Sequence, residues 1–130
     1  MNINDLTLGQ VKELQAMLFS SNSKSSIHSR NIGRYVIVRS RIEGINAGYV
    51  VEADETGIVL KDARRLHYHK PADKDLAWYE GVAISGLGDG CRVSPKCPDE
   101  KVIVEDYSIT VCTEAAKKSI EGYKAYGQDN

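Results

Sequence analysis

Residues 59–69 hold the densest group of side chains in this sequence that could recognise a ligand. The segment reads Val-Leu-Lys-Asp-Ala-Arg-Arg-Leu-His-Tyr-His. Side chains of a strand alternate between faces, so Arg65 would share one face with both histidines. Arg64 would share the other face with Leu66 and Tyr68. Guanidinium groups bind phosphate through paired hydrogen bonds, and both guanidinium planes and aromatic rings stack on bases. The pattern indicates a site for a small anionic, ring-bearing ligand such as a nucleotide, with a charge-protected edge strand as the alternative.

The elements that would position this segment form an α+β chain with a curled antiparallel sheet. Turns are expected at 43–48, where two glycines stand, and at 54–57. Two hairpins within a short stretch imply antiparallel pairing and strong curling. β-Branched and aromatic runs predict strands at residues 34–41, 49–52, 58–69, 101–106 and 108–112.

Helices are predicted near both ends of the chain. Apolar spacing and a capping box predict one at 7–19, which the serine-rich tether 20–31 would join to the body. Thr113 is a suitable N-cap for a helix at 114–121. A shorter helix at 72–80 would carry Trp78, the only tryptophan, and end at Gly81.

Three regions follow from these elements. Residues 1–31 form an N-terminal helix and linker that could contact another subunit. Residues 32–122 form the sheet domain with its terminal helix, and 123–130 form a partly disordered tail. The glycine-rich stretch 85–99 is expected to be a mobile surface loop, because it lacks the spacing of a phosphate-binding loop.

The composition narrows the classes of function. The chain has 130 residues, a formal net charge of −1 and a pI near 6.3, which argues against sequence-blind binding of duplex nucleic acid. No stretch is long and apolar enough for a membrane span, and no signal peptide is recognised. The three cysteines are expected to be reduced thiols of a cytoplasmic protein.

The sequence gives little support for catalysis or for metal binding. His67 and His69 could share a zinc ion, but neither the cysteine spacing nor another histidine supplies an obvious third ligand. Acidic pairs such as Asp54-Glu55 occur at turns and strand ends, where solvation is their ordinary role. We therefore predict no enzyme activity, no metal and no cofactor.

Residues 32–121 resemble a family of small proteins encoded by tailed bacteriophages. The resemblance depends on the blocks Ile-Gly-Arg-Tyr-Val-Ile-Val-Arg (32–39), Gly-Ile-Asn-Ala-Gly (44–48), Leu-Lys-Asp-Ala-Arg-Arg-Leu-His-Tyr (60–68) and Cys-Thr-Glu-Ala-Ala-Lys-Lys-Ser-Ile-Glu (112–121). The chain departs from the family around Tyr68, where tryptophan is more usual. The family is in turn similar to the first type of Thoeris anti-defence proteins.

This resemblance implies a phage sponge. Such a protein is a homo-oligomer, a dimer or hexamer, that sequesters a cyclic ADP-ribose isomer, and in some cases cyclic oligonucleotides, in the cytoplasm of the host bacterium without cleaving it. Arg39, Arg64 and Arg65 would bind phosphates; Tyr49, Tyr68 or Trp78 would stack on a base; and Asn46 and the backbone near Gly48 would bind polar edges.

A sponge needs tight binding, which constrains where its site lies. Nanomolar affinity corresponds to about −12 kcal/mol. Two or three charge-assisted hydrogen bonds at about 1.5–3 kcal/mol each do not supply this alone, so the site is expected at a subunit interface. The alternative function is an accessory phage protein that docks on a host or virion protein through its basic strand.

Overall fold

In a computed structural model that describes residues 27–126, six antiparallel strands form one open sheet. The strands are β1 Tyr35–Ser40, β2 Gly44–Asp54, β3 Gly57–Tyr68, β4 Arg92–Val93, β5 Glu100–Ile103 and β6 Tyr107–Val111. The same residues also form two helices, α1 Trp78–Ser85 and α2 Glu114–Gly122, and one 3-10 turn at His28–Asn31. The strand order is β4-β3-β2-β1-β6, and β5 pairs with the same edge of β3 that β4 uses.

The predicted α+β class, the antiparallel pairing and the C-terminal helix are confirmed. The periodic run that predicted β1 also predicted its two faces correctly, because Tyr35 and Ile37 pack in one cluster and Val36 and Val38 in another. The predicted N-terminal helix at 7–19 and the tether up to residue 26 lie outside the described residues.

The sheet is curled because its two edges are joined by only residues 104–106. An extended chain from Ile103 to Tyr107 reaches about 14 Å. In a flat sheet, β5 and β6 would lie four strand spacings apart, about 19 Å. The connection is therefore too short for a flat sheet, and the sheet curls so that β5 and β6 come within its reach. Two register shifts between β2 and β3, one beside Asp62 with φ 55°, add the local bending that a β-bulge provides.

Curling divides the core into two clusters on opposite faces of the sheet. The first consists of strand residues, including Val38, Val50 and Leu60, and neither α1 nor α2 contributes to it. The second lies under the helices, where Ile37, Leu66 and Val93 pack against three helical residues: Val82, Ala83 and Ile120.

The predicted turn at 43–48 is wrong, because Gly44 begins β2 and the strand continues through Gly48. A Cβ at Gly48 would lie 3.0 Å from the carbonyl oxygen of Lys61. Glycine at this position therefore allows β2 to lie close to β3, and it does not form a turn. The chain reverses earlier, where the Glu105 carboxylate accepts hydrogen bonds from the backbone N–H groups of Ile42 and Glu43 at 2.9 and 3.0 Å.

The predicted helix at 72–80 is also wrong in its bounds, because α1 begins at Trp78 and ends at Ser85. Gly81 lies inside α1 and does not end it. A Cβ at Gly81 would be 2.6 Å from Cγ of Pro71, so the glycine permits contact between the helix and that proline. Gly86, with φ 89°, follows the last turn instead.

Residues 85–99, predicted from composition to be a mobile surface loop, are not a loop throughout, because they include β4 and buried residues. Leu87 is buried and Val93 is completely buried, and Pro71 forms a bridge with Leu87. The first residues of the predicted disordered tail also pack on the domain: the hydroxyl of Tyr123 donates to Gly88 O at 2.8 Å, and Tyr126 N donates to Val93 O at 2.8 Å.

Thr113 caps α2 as predicted. Its hydroxyl oxygen accepts from Ala116 N at 3.1 Å and its O–H donates to Ile84 O at 2.7 Å, which ties the two helices together. We expect Thr113→Ala to lower the free energy of unfolding by about 1 kcal/mol in urea titrations, since both bonds are lost. Thr113→Ser retains the hydroxyl and should lose much less; equal losses would show that the hydroxyl is not responsible.

Candidate functional site

A cavity of about 330 Å³ lies between the start of α1 and the face of the sheet that α1 covers. Ligand pockets in proteins usually measure about 300–1,000 Å³, so this cavity is at the small end of the range. Two of the ligand residues predicted from the sequence, Arg39 and Trp78, meet here. The remaining lining residues are Ile45, His69, Tyr79 and Glu80.

Trp78 has an unusual backbone and an unusual exposure. Its φ is 60°, in the left-handed region, which costs a residue other than glycine about 1–2 kcal/mol. The side chain is nevertheless 74% exposed, so core packing does not explain the conformation. Strain of this kind is most often found where function requires a particular geometry. Here the strained residue is part of the lining of the cavity.

Arg39 supplies positive charge to the cavity. It is exposed near the end of β1, and its guanidinium carbon lies 5.9 Å from the ring centroid of Tyr79. Within residues 27–126, the ion pairs are Lys101–Glu43 and Lys117–Glu114, and neither involves Arg39. The guanidinium donors of Arg39 are therefore available to an anion.

The start of α1 adds to the electrostatics of the cavity. Ala77 stands at the N-cap and makes no side-chain hydrogen bond, unlike the Thr113 cap of α2. The first N–H groups of a helix have no partner within the helix and favour negative charge. Glu80 contributes an opposing charge from the first turn of α1. Arg39 and the uncapped helix start together favour an anion over a cation in the cavity.

Arg64 serves the fold, which corrects its predicted role as a phosphate ligand. The residue is 3% exposed, and its Nε donates to Ser94 O at 2.7 Å while one terminal nitrogen donates to Ile120 O at 2.7 Å. α2 has no basic residue in its own last turn, so Arg64 from β3 meets the carbonyl groups at that end. Burial lowers the pKa of the guanidinium. Arg64 is therefore not a candidate ligand residue of the cavity.

Three further predicted ligand residues also have structural partners. The Tyr49 hydroxyl donates to a carboxylate oxygen of Glu121 at 3.0 Å. Asn46 is buried, donates to Glu43 O at 3.1 Å and accepts from Lys101 Nζ at 3.0 Å. Gly48 spaces β2 from β3, as described above. None of the three lines the cavity beside Trp78.

Arg65 and Tyr68 lie elsewhere. Arg65 pairs with Asn46 on the face opposite Arg39, and its guanidinium lies against Gly44. Tyr68 is 51% exposed at the end of β3 and pairs with β4. The structure therefore does not bring the three predicted phosphate-binding arginines together. Sequence reasoning missed Tyr79 and Glu80, although they directly follow Trp78 and a helix start there would have placed them at the same end.

The described part of the chain offers little for metal binding, for thiol nucleophiles or for crossing a membrane. Among residues 27–126, no three histidine, cysteine or acidic side chains are grouped as metal ligands, and all three cysteines are free thiols. Burial raises the pKa of Cys112 to about 12, which keeps its sulfur protonated and weakly nucleophilic. None of the helices described is both long and apolar enough to cross a bilayer.

Comparison with known proteins identifies a family without a described activity. Residues 33–120 match the family model described as a domain of unknown function (DUF6948), which is more than half of the chain. No curated protein and no solved structure matches the chain. The match covers β1 to β6 and almost all of α2, and so includes every residue that lines the cavity. The chain therefore belongs to the DUF6948 family.

Proposed function

We propose that this protein is a sponge that binds and sequesters a cyclic nucleotide messenger, such as a cyclic ADP-ribose isomer, without cleaving it. The observation that supports the proposal best is the cavity where the exposed, strained Trp78 lies with Arg39, which forms no ion pair within residues 27–126. The resemblance to phage anti-defence proteins suggests the class of messenger and the host cytoplasm as the place of action. DUF6948 membership is compatible with this function and does not specify it.

In the proposed complex, different groups of the cavity bind different parts of the ligand. The indole of Trp78 stacks on the base, a contact worth about 1–3 kcal/mol. Arg39 and the N–H groups at the start of α1 bind the phosphates. A volume near 330 Å³ encloses part of a dinucleotide-sized ring, so a second subunit covers the remainder in this proposal.

Trp78→Gly should separate binding from stability. We expect the Kd for cyclic ADP-ribose isomers to rise about 5- to 150-fold in calorimetric titrations, because stacking is lost. The free energy of unfolding should change by less than about 1 kcal/mol, because glycine adopts the left-handed backbone without strain and the indole buries little surface. Arg39→Gln should weaken binding by a similar factor through loss of charge-assisted hydrogen bonds.

Two exposed residues outside the cavity give matched controls. Arg30→Gln removes an exposed arginine and Tyr126→Ala removes an aromatic ring that is 61% exposed. Both variants should bind the messenger with unchanged affinity. Equal weakening by the controls and by the cavity variants would place the ligand elsewhere, and no binding of any cyclic nucleotide by the native protein would reject the sponge.

The fate of the ligand distinguishes a sponge from an enzyme. The purified complex is heated, and the released nucleotide is analysed by mass spectrometry against the compound that was added. A sponge returns the same compound in stoichiometric amount. Release of a hydrolysed or rearranged product would instead show turnover.

One observation favours the alternative of protein docking. A more open groove of about 440 Å³ lies at the edge of the sheet and places Arg39 and Arg41 opposite Asp106. Two exposed arginines at a strand end could bind an acidic surface of a host or virion protein. Affinity capture from infected cells tests this alternative: a stoichiometric protein partner that is lost in Arg41→Gln, with nucleotide binding unaffected, would favour docking.

A further inference from the structure

His69 lines the candidate cavity and carries a buried polar atom that has no partner among the described residues. Its Nδ1 atom is buried and has no hydrogen-bond partner within the described residues, although the ring as a whole is only half-buried. The other two histidines differ from it: His28 Nδ1 lies 2.8 Å from the Tyr107 hydroxyl, and His67 is exposed. A buried polar atom without a partner is uncommon in proteins and calls for an explanation.

The groups around His69 carry opposing charges. Arg39 faces the cavity from β1, and Tyr79 and Glu80 face it from α1. Lys70, the next residue in the chain, is exposed. Burial penalises the charged form of the imidazole and so lowers the pKa of His69 below its ordinary value. In the free protein the ring is therefore neutral near pH 7.

We propose that His69 contacts the bound anion and takes up a proton when the anion binds beside Arg39. The inference depends on the proposed function in one respect, namely that the cavity is the anion site. A negative group bound next to the ring adds to the negative charge that Glu80 supplies and so favours protonation, and a protonated imidazole gives both ring nitrogens a donor role. The proton comes from solvent, so the complex has one more bound proton than its separate components.

Proton uptake makes binding stronger as the pH falls. The effect is confined to the interval between the pKa of His69 in the free protein and its higher pKa in the complex. Within that interval, the free ring is neutral and the bound ring is protonated, so affinity rises by up to about tenfold for each pH unit lowered. Above the interval both forms are neutral, and below it both are protonated, so the dependence disappears.

Histidine titration followed by NMR tests the contact without knowledge of the natural ligand. Inorganic sulfate is the probe, since it is a dianion that does not titrate near neutral pH, and chloride at matched ionic strength is the reference. We expect sulfate to move the titration midpoint of His69 to higher pH and to leave those of His28 and His67 unchanged. His69→Gln assigns the resonance, and Arg39→Gln should abolish the shift.

Two results would overturn the inference: an identical His69 midpoint in sulfate and chloride, or a sulfate shift that persists in Arg39→Gln. Cyclic ADP-ribose then separates this inference from the proposed function. If sulfate moves the midpoint but no nucleotide binds, the sponge fails and the anion contact stands. If the nucleotide binds and the His69 midpoint does not move, the sponge stands and proton uptake is rejected.

Discussion

Replacing Arg64 by alanine should lower the free energy of unfolding by about 3–5 kcal/mol, the largest effect expected from any single side chain discussed above. Arg64 donates charge-assisted hydrogen bonds to the carbonyl oxygens of Ser94 and Ile120, and such bonds contribute about 1.5–3 kcal/mol each. Ile120 O would keep the longer bond from Tyr123 N at 3.3 Å. Loss of the packed aliphatic stem adds to the loss of the Arg64 bonds. Urea-induced unfolding measures the change, and hydrogen exchange of the last turn of α2 should rise with it.

The neighbouring arginine provides the control for this experiment. Arg65 is half-buried, and within the described chain only its backbone forms hydrogen bonds, to Ser94. Arg65→Ala should therefore change the free energy of unfolding by less than about 1 kcal/mol. Arg64→Lys retains the charge but not the forked donor geometry. Its loss of unfolding free energy should lie between the losses for Arg65→Ala and Arg64→Ala. If Arg64→Ala were stable but unable to bind nucleotide, the phosphate-binding role predicted from sequence would be restored.

Gly57→Ala should cost about 2–3 kcal/mol, although it adds only a methyl group. A Cβ at this position would overlap the carbonyl oxygen of Ile103 and lie 3.2 Å from Cα of Val104. Both are backbone atoms of the paired strand and the segment that follows it, so the clash can be relieved only by separating β3 from β5. Because β5 leads through residues 104–106 into β6, separating β5 from β3 would also disturb the connection between the two edges of the sheet.

Gly122→Ala is the matched substitution and should have the opposite sign. Gly122 is the last residue of α2, and a Cβ there meets no atom within 4 Å. Alanine restricts the unfolded chain, so stability should rise by about 0.4–1 kcal/mol. Thermal unfolding of the two variants compares them directly. Destabilisation by both would show that the glycines are required for a reason other than the space at Gly57.

Elements formed by interactions between neighbouring residues were predicted more accurately than elements that depend on contacts with distant residues. α2 was predicted almost to the residue, because its cap Thr113 acts within a few positions of the chain. α1 was misplaced, because its start depends on the contact of Gly81 with Pro71 and on the left-handed backbone of Trp78. Contact with Pro71 comes from outside the helix, and no local pattern in the sequence indicates it.

The candidate site shows the same division. Arg39 and Trp78 were singled out by residue type, and they share a cavity because β1 and the start of α1 meet there. Arg64 was singled out by the same reasoning and is buried under the end of α2 instead. Residue type predicted which side chains could bind an anion, but the position of α2 determined which of them remain free to do so.

By itself, the amino-acid order determined the class of fold, the alternation of both faces along β1 and the capped terminal helix, since strand period and capping are properties of neighbouring residues. Only the folded chain decided which arginine is structural, how far the sheet curls and where a cavity opens. Those outcomes depend on contacts between residues far apart in the chain, such as Arg64 with Ile120 and Gly57 with Ile103. Contacts of that range leave no periodic signal in the sequence.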